Sequence, residues 1–395
     1  MKQLKKDKKS LWHRFLILLT DGKTSPLAIP LLAIVLSLVV TSLIFLVLGK
    51  NPFRAFAGFL MGSGFWPKAN YANGQNQFTE ILSFMGMMAP MLLAALGVIV
   101  ALKAGLFNIG ISGQMVAAAF AATVLVGYTD LSAYIARPLV VLVGAVVGAL
   151  LGALVGYLKY KFNIHEVVST IMFNYIISYV VGYFINTKYV DPISRTSRMI
   201  RPEARLTIIG VEMGGLKLTL PLGILLAVAA VFALRFLLDR TVPGFEMKAV
   251  GLNRQCAAYA GVRVGKNIVL AMLLSGMLAG MAGVCYYVGH FNTIIPKELP
   301  ALGYDSIAVA LLGSLDPIGA IFASILVTIL QKGSVYMSSN VGVPKEIASA
   351  TIGILLLFSA CGAYMRRSAG RWREKLEDEL RKKEAAAETT PEVNS

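Results

Sequence analysis

The sequence predicts an all-α polytopic membrane protein with about eight to ten transmembrane helices. Three observations lead there. Of 395 residues, 56% are apolar and only 15% charged, with a mean hydropathy of +0.69; ordinary soluble domains hold about 45–50% apolar and about 25% charged residues. The charges collect in short stretches between apolar runs long enough to cross a hydrocarbon core of about 30 Å as helices. The ten-residue alternation of a membrane β-barrel is missing from these runs. Together these features exclude a soluble enzyme, a nucleic-acid-binding domain and a disordered chain. Lys and Arg outnumber Asp and Glu by 37 to 21, but they sit between spans, so the basic excess points to a lipid bilayer and to no nucleic acid.

Residues 1–23 form a basic tail carrying Lys2, Lys5, Lys6, Lys8, Lys9 and Arg14, which places it in the cytoplasm. The apolar run behind it is too long for a cleaved signal. Residues 11–20 suit a short helix on the inner leaflet with Trp12 at the interface, and they equally suit a solvated tail. Apolar spans are predicted over residues 24–49, 81–102, 115–129, 138–158, 167–186, 218–238, 267–287 and 344–365. Arg235 falls in the last turn of its span, where its stem snorkels to the headgroups. Residues 239–266 form a long basic loop on the cytoplasmic side.

The run 304–331 is interrupted by Asp316-Pro317. A proline and a charge at mid-run break a helix, so the segment reads as two half-helices returning to one side. That leaves eight crossings and both termini in the cytoplasm; ten result if 104–129 is also folded in two. The stretch 188–217 lies outside on this topology, although Lys188, Arg195, Arg198, Arg201 and Arg205 run against the positive-inside rule. From Arg366 a charged cytoplasmic tail begins, and its residues 371–388 have the charge spacing of a solvated helix. Three regions result: the tail 1–23, a transmembrane domain 24–365 and the tail 366–395.

Gly144, Gly148, Gly152 and Gly156 recur every four residues. They form one smooth stripe, drifting by about 40° per step, on which another helix backbone can approach closely. Gly276, Gly280 and Gly283 offer a shorter one. Packing within the chain is the expected use, and a subunit contact the alternative.

Catalytic motifs fail one by one. Gly261-Val-Arg-Val-Gly265-Lys266-Asn267 has one residue too few for a phosphate loop and Asn where the magnesium-binding hydroxyl belongs. His165-Glu166 lacks the second histidine of a zinc protease, and Gly110-Ile-Ser112-Gly113 is one residue short of a nucleophile elbow. The cysteines, Cys256, Cys285 and Cys361, are scattered. The chain is therefore expected to be no enzyme, to hold no metal and no cofactor, and to draw any work it does from an ion gradient or a partner.

Polar groups inside a bilayer are costly, and they are either functional or paired. The densest set is Gly105-Leu-Phe-Asn108-Ile-Gly110-Ile-Ser112-Gly113-Gln114. Its glycines break a helix, and Asn108, Ser112 and Gln114 offer neutral hydrogen bonds of the kind discontinuous helices present to substrates; a structural cap joining two helix ends is the competing reading. Ser169, Thr170 and Asn174 open the 167–186 span, with Thr170 and Asn174 on one face; interhelical hydrogen bonding competes with a substrate role there. Asp305 is expected to cap the first half-helix, and a proton or sodium site at Asp305 or Asp316 is the sharper possibility. Within the long loop, residues 244–261 are rich in small side chains (Gly244, Gly251, Ala257, Ala258, Gly261) around Asn253. A helix of about two turns bounded by Gly251 and Gly261 would let a cytoplasmic protein press close, and a passive linker is the competing reading.

Six stretches in order resemble a known family. They are Gly105-Leu-Phe-Asn-Ile-Gly110 with Gly113-Gln-Met115, His165-Glu-Val-Val-Ser-Thr-Ile-Met-Phe-Asn174-Tyr175, Ala249-Val-Gly-Leu-Asn253 with Ala257-Ala-Tyr-Ala-Gly261, Asn267-Ile-Val-Leu-Ala-Met with Ser275-Gly, Tyr304-Asp-Ser-Ile-Ala-Val-Ala-Leu-Leu-Gly313, and Val343-Pro-Lys-Glu-Ile347. The chain is similar over residues 78–365 to permease subunits of bacterial ABC importers in the branched-chain amino acid/ribose superfamily, and most similar to the nucleoside, purine-type branch. The resemblance implies a vitamin-B12-importer-like (type II) permease fold. It also implies a second, different permease, two cytoplasmic ABC ATPases gripping 244–261, an extracytoplasmic substrate-binding lipoprotein, and a bacterial cell membrane location. Ser112 departs from many relatives, which carry an acidic residue there. The expected function is a nucleoside importer permease; a permease for a sugar or another small solute, an ion-coupled transporter and a non-transporting scaffold are the rivals.

Overall fold

The computed structural model describes residues 11–22, 24–71, 74–213 and 216–388; the basic residues Lys2 to Lys9 and the side chain of Trp12 lie outside the described set. The helices are α1 (Leu11–Thr20), α2 (Ser25–Val47), α3 (Pro52–Ser63), α4 (Gln77–Lys103), α5 (Ile111–Ala122), α6 (Ala133–Phe162), α7 (Glu166–Phe184), α8 (Gly223–Arg240), α9 (Val242–Leu252), α10 (Arg254–Tyr259), α11 (Val264–Val284), α12 (Leu302–Leu312), α13 (Pro317–Val341), α14 (Glu346–Ala360) and α15 (Gly362–Glu388). α5, α7 and α11 each end in a wider π-helical turn, Thr123–Gly127, Ile185–Tyr189 and Cys285–Phe291. A two-stranded antiparallel hairpin, β1 (Thr207–Met213) and β2 (Leu216–Pro221), pairs Thr207 with Pro221 and Met213 with Leu216, bulging at Gly210. Among the described residues six helices are long and apolar enough to span a membrane, or seven if α14 and α15, bent by 49°, count as one.

Local chemistry sets the boundaries. Asn51 caps α3 ahead of Pro52, accepting from the Phe53 amide. Asn76 and Thr79 close a reciprocal capping box on α4, and Gly342 ends α13 in the left-handed region. Asp316 accepts from the Ile318 and Gly319 amides, both at 3.0 Å, and so starts α13 with Pro317 at its first position.

The chain divides into two compact units, one of residues up to Leu43 with those from Ile354 onward, the other of Ile44 to Gly353. In the first, α1 and α15 pack through Leu16, Leu19 and Ala369, and Arg373 donates to Thr20 Oγ1 at 3.1 Å. The solvated helix predicted over 371–388 is the outer part of α15. In the second, α4 is the centre. Its residues 88–101 are all buried, as befits a helix apolar on every side. The two glycine stripes meet each other across α6 and α11: a Cβ on Gly148 would stand 2.2 Å from the Gly276 carbonyl oxygen, and one on Gly280 would stand 2.1 Å from that of Gly144.

Four expectations change. The span predicted at 218–238 begins at Gly223, because Leu218 and Leu220 belong to β2. The span predicted at 344–365 ends at Ala360, with a break before Gly362. The run 304–331 does break, at residues 313–316, but only α12 is short. α13 continues to Val341 as a full-length helix because its polar residues are paired: Lys332 Nζ lies 3.0 Å from Glu80 Oε2, and Gln331 Nε2 donates to Asp305 Oδ2 at 2.5 Å. Asp305 therefore holds α13 and does not cap α12, whose start has no side-chain cap.

Candidate functional site

The break between α4 and α5 is tied down atom by atom. Gly105 takes φ +68°, which only glycine adopts without strain, and turns the chain out of α4. Asn108, fully buried, then acts in three directions. Its Oδ1 accepts from the Gly110 amide at 2.9 Å, and its Nδ2 donates to Gln114 Oε1 at 3.0 Å and to Ser275 Oγ of α11 at 2.9 Å. Asn174 does the same from α7: its Oδ1 accepts from the Gly113 amide at 2.8 Å and its Nδ2 donates to the Ile109 carbonyl at 3.0 Å, with Tyr304 Oη at 3.4 Å. Ser112 Oγ donates to the Pro300 carbonyl at 2.9 Å.

The residues singled out from sequence thus fall into one cluster and one fringe. Asn108, Ser112, Gln114 and Asn174 converge on the start of α5, buried and hydrogen-bonded. Thr170 and Ser169 sit four and five residues back along α7, bonded to the carbonyls of Glu166 and of the N-cap His165. Ser275, Tyr304 and the Pro300 carbonyl complete the cluster. Sequence places Ser275 and Tyr304 in family-like stretches but gives them no role, since residues more than a hundred positions away carry no local signal of contact. The cluster has no formal charge. Its amide and hydroxyl groups are buried and paired with one another and with the backbone. Among the described residues no group of three or more His, Cys, Asp or Glu is placed to hold a metal.

The loop after α8 folds into two helices, not one, separated at Asn253. Asn253 caps α10 by accepting from the Gln255 and Cys256 amides at 2.9 and 3.0 Å. Gly244 lets α9 turn against α8, where a Cβ would stand 2.0 Å from the Leu237 carbonyl oxygen. Ala257 is buried, Ala258 exposed, and Gly261 ends α10 at φ +83°. Leu252 and Tyr259 project outward, 89% and 94% exposed.

The two regions touch. A Cβ on Gly251 would lie 2.2 Å from the Lys103 carbonyl oxygen and 2.9 Å from the Gly105 nitrogen. Arg254 donates to the Gly105 carbonyl at 3.3 Å, and Asn267 of α11 donates to Glu246 of α9 at 2.8 Å. The α9–α10 elbow therefore rests on the chain three residues before Asn108.

Comparison with known proteins agrees in scale. Residues 80–360 match the family described as "Branched-chain amino acid transport system / permease component". The chain is 34% identical to a guanosine ABC transporter permease of Bacillus subtilis, NupP, over 89% of its own length and 98% of that protein's. It is 31% identical to a nucleoside ABC transporter permease of Lactococcus lactis, NupB, over 86% and 92%. A glucose ABC transporter permease of Haloferax volcanii is 25% identical over 86% and 88%. No solved structure matches.

Proposed function

We propose that this chain, which belongs to the branched-chain amino acid transport permease family, forms half of the membrane pathway of an ATP-driven nucleoside importer. The observation that carries the reading is near-full-length similarity to two permeases named for guanosine and nucleoside transport, at 34% and 31% identity. The uncharged cluster at the start of α5 supports it, since ribose and base present neutral donors and acceptors. A sugar permease is the second reading, favoured only by the more distant glucose relative.

In this proposal a cytoplasmic ABC ATPase grips α9 and α10, with Gly244, Gly251, Asn253, Ala257, Ala258 and Gly261 shaping the surface and Leu252 and Tyr259 inserting into it. Both termini lie in the cytoplasm of a bacterial cell. A second permease subunit closes the pathway, and an extracytoplasmic binding lipoprotein delivers substrate. ATP binding draws the docking helices together. The Gly251–Gly105 contact passes that motion to the α4–α5 break, and α5 shifts against α7. Asn108, Gln114 and Asn174 then exchange protein partners for substrate hydrogen bonds, with Ser112, Ser169 and Thr170 along the same seam. Such a switch needs each state to hold contacts the other lacks; the closed set is the hydrogen-bonded cluster at the start of α5.

The test is uptake of tritiated guanosine in cells carrying the intact importer, with and without an inactivating substitution in the ATPase. ATPase-dependent accumulation, competed by nucleosides and not by glucose, is expected. Unchanged uptake without ATPase activity refutes the coupling, and competition by glucose alone favours the sugar reading.

A further inference from the structure

We propose that a ladder of tyrosines on α7, Tyr175, Tyr179 and Tyr183, is the stacking track along which the nucleobase crosses the membrane. This rests on the nucleoside reading above and goes beyond it by assigning residues and a contact mode. These three side chains are 57%, 62% and 63% exposed, on one side of a helix whose opposite side carries the buried Thr170, Asn174, Ile177 and Val181. Four-residue steps keep them on one face, drifting by about 40° each. Measured from Glu166 they stand roughly 14, 20 and 26 Å along the axis, so Tyr175 and Tyr179 lie well inside a hydrocarbon core of about 30 Å.

That is the wrong chemistry for a lipid-facing surface, and the same chain shows what a lipid-facing surface looks like. The exposed face of α6 is aliphatic through its middle, with Leu142, Val146, Leu150 and Leu154, and keeps its exposed tyrosines, Tyr134, Tyr157 and Tyr160, for its two ends. The exposed face of α2 runs Leu27, Leu31, Val35, Val39 and Leu43. Tyrosines belong at membrane interfaces, where one end of the ring is wet; a phenolic hydroxyl in lipid mid-plane has no partner. α7 departs from that pattern: its exposed side sets Tyr175 and Tyr179 at mid-helix among Val168, Met172, Ile176 and Val180.

A second observation concerns Lys297. Its backbone lies against Gly182, where an added Cβ would meet the Lys297 nitrogen at 3.0 Å, and its φ is +62°, a left-handed conformation that lysine seldom takes. This strained turn directs the exposed ammonium to within 6.0 Å of the Tyr179 ring centre. A lysine head at that depth is costly against lipid and reasonable beside a polar passage. At the lower end of the ladder, Tyr304, 39% exposed, bonds to Asn174 and so joins the track to the polar cluster. At the upper end, Tyr183 meets Phe184 edge-on, Phe184 stacks on Phe120, and Phe120 meets Tyr189. Aromatic side chains therefore recur along α7 from beside Asn174 to its C-terminal end, where they join the Tyr183, Phe184, Phe120 and Tyr189 cluster. A flat heteroaromatic solute fits such a surface, because every base has a face that stacks on an aromatic ring whatever its edge groups, and the neutral cluster below suits its ribose.

The experiment uses the complete importer in native membranes and sub-saturating tritiated guanosine. Tyr175→Leu and Tyr179→Leu, singly and together, are compared with the Phe substitutions at the same positions, with complex assembly and ATPase rate measured alongside. Loss of a stacking ring lowers uptake about fivefold or more in the Leu variants, while the Phe variants stay within about twofold of wild type, and assembly and ATPase rate are unchanged. Leu variants that transport like wild type overturn the ladder. So do Leu variants that fail to assemble, which would make this face a subunit contact without ligand, and Phe variants that fall as far as Leu, which would make the hydroxyl the active group. If wild-type importer accumulates no guanosine at all, the nucleoside reading fails first, and that result is separate from the other three.

Discussion

The bare-backbone seam between α6 and α11 gives a sharp stability prediction, Gly148→Ala. The new methyl would be placed 2.2 Å from the Gly276 carbonyl oxygen, 2.8 Å from Gly280 Cα and 2.9 Å from Gly280 N. All three are backbone atoms, so no rotamer change relieves the clash. Ordinary contact begins near 3.4 Å, so α6 and α11 must part by about 1.2 Å at this level. A radial gap of about 0.5–1 Å already forfeits a quarter to a half of each dispersion contact. The loss extends along the seam, because Gly144, Gly152 and Gly156 ride on the same rigid helix. Overpacking a tight core costs about 1–3 kcal/mol and occasionally more; with only backbone to yield, the upper end applies. The assay is thermal unfolding of detergent-purified protein together with its level in the membrane. Gly353→Ala is the control, since that glycine has nothing within 4 Å and alanine in an open helical position is neutral or stabilising by up to about 1 kcal/mol. A Gly148→Ala protein with the melting temperature and abundance of wild type would refute the inference that these backbones touch.

Three further outcomes are expected. Gly251→Val puts branched carbon onto the Lys103 carbonyl and should lower guanosine uptake at least about tenfold while ATPase subunits still bind and hydrolyse ATP, an uncoupling readable as hydrolysis without accumulation. Glu80→Gln removes the carboxylate shared by Lys68 at 2.7 Å and Lys332 at 3.0 Å; stranding two largely buried ammonium groups should destabilise by about 3–5 kcal/mol, seen as a lower melting temperature that Lys332→Met in the same chain partly restores. Asn174→Leu leaves the Gly113 amide and Ile109 carbonyl without their partner, costing about 1–3 kcal/mol for each buried group, and should reduce both melting temperature and uptake, whereas Asn174→Gln keeps the chemistry and recovers part of each.

How far the sequence alone reaches is visible in particular residues. Long apolar runs locate α2, α4, α6, α7 and α11, because a bilayer admits few other solutions. Four-residue glycine spacing announces the α6–α11 seam. The break at Asp316-Pro317 is legible because proline and a capping carboxylate act locally. Sequence cuts α13 short because Gln331 and Lys332 look like an end, and only their partners Asp305 and Glu80, far away in the chain, make them tolerable inside a helix. The hairpin escapes sequence reading where Leu218 and Leu220 imitate the start of a span. In the polar cluster, sequence names Asn108, Gln114 and Asn174, whose side chains are out of place in a membrane. It gives no weight to Ser275, a small residue among small residues, until Asn108 is seen to donate to it. The tyrosine ladder is ordinary as letters, since aromatic residues are common in spans; it stands out only when exposure separates the two faces of α7.

Under the proposed function, packing bears on which part of the chain would answer a push on α10. α4 is buried on all sides through residues 88–101 and cannot translate without disturbing every helix around it. α11 is locked to α6 through bare backbone. The elbow at Gly251 meets the end of α4 at Lys103 and Gly105, again with no side chain between, so the contact has little compliance and a displacement there is not absorbed locally. Beyond Gly105 the chain is irregular to Gly110 and is held there by side-chain bonds, Asn108 to Gly110, Gln114 and Ser275 and Asn174 to Ile109 and Gly113, after which α5 packs its Met115 carbonyl against Gly283 of α11. The bonds are individually worth about 0.5–1.5 kcal/mol net, far less than the packing that fixes α4. In the proposed importer, load applied through Gly251 is relieved first at the irregular residues 105–110, which are held by hydrogen bonds, and reaches α5 through them. The bonds that would break first there are those of Asn108 and Asn174, so under the proposed function the element that yields is also the one whose neutral hydrogen-bonding groups a substrate could take up.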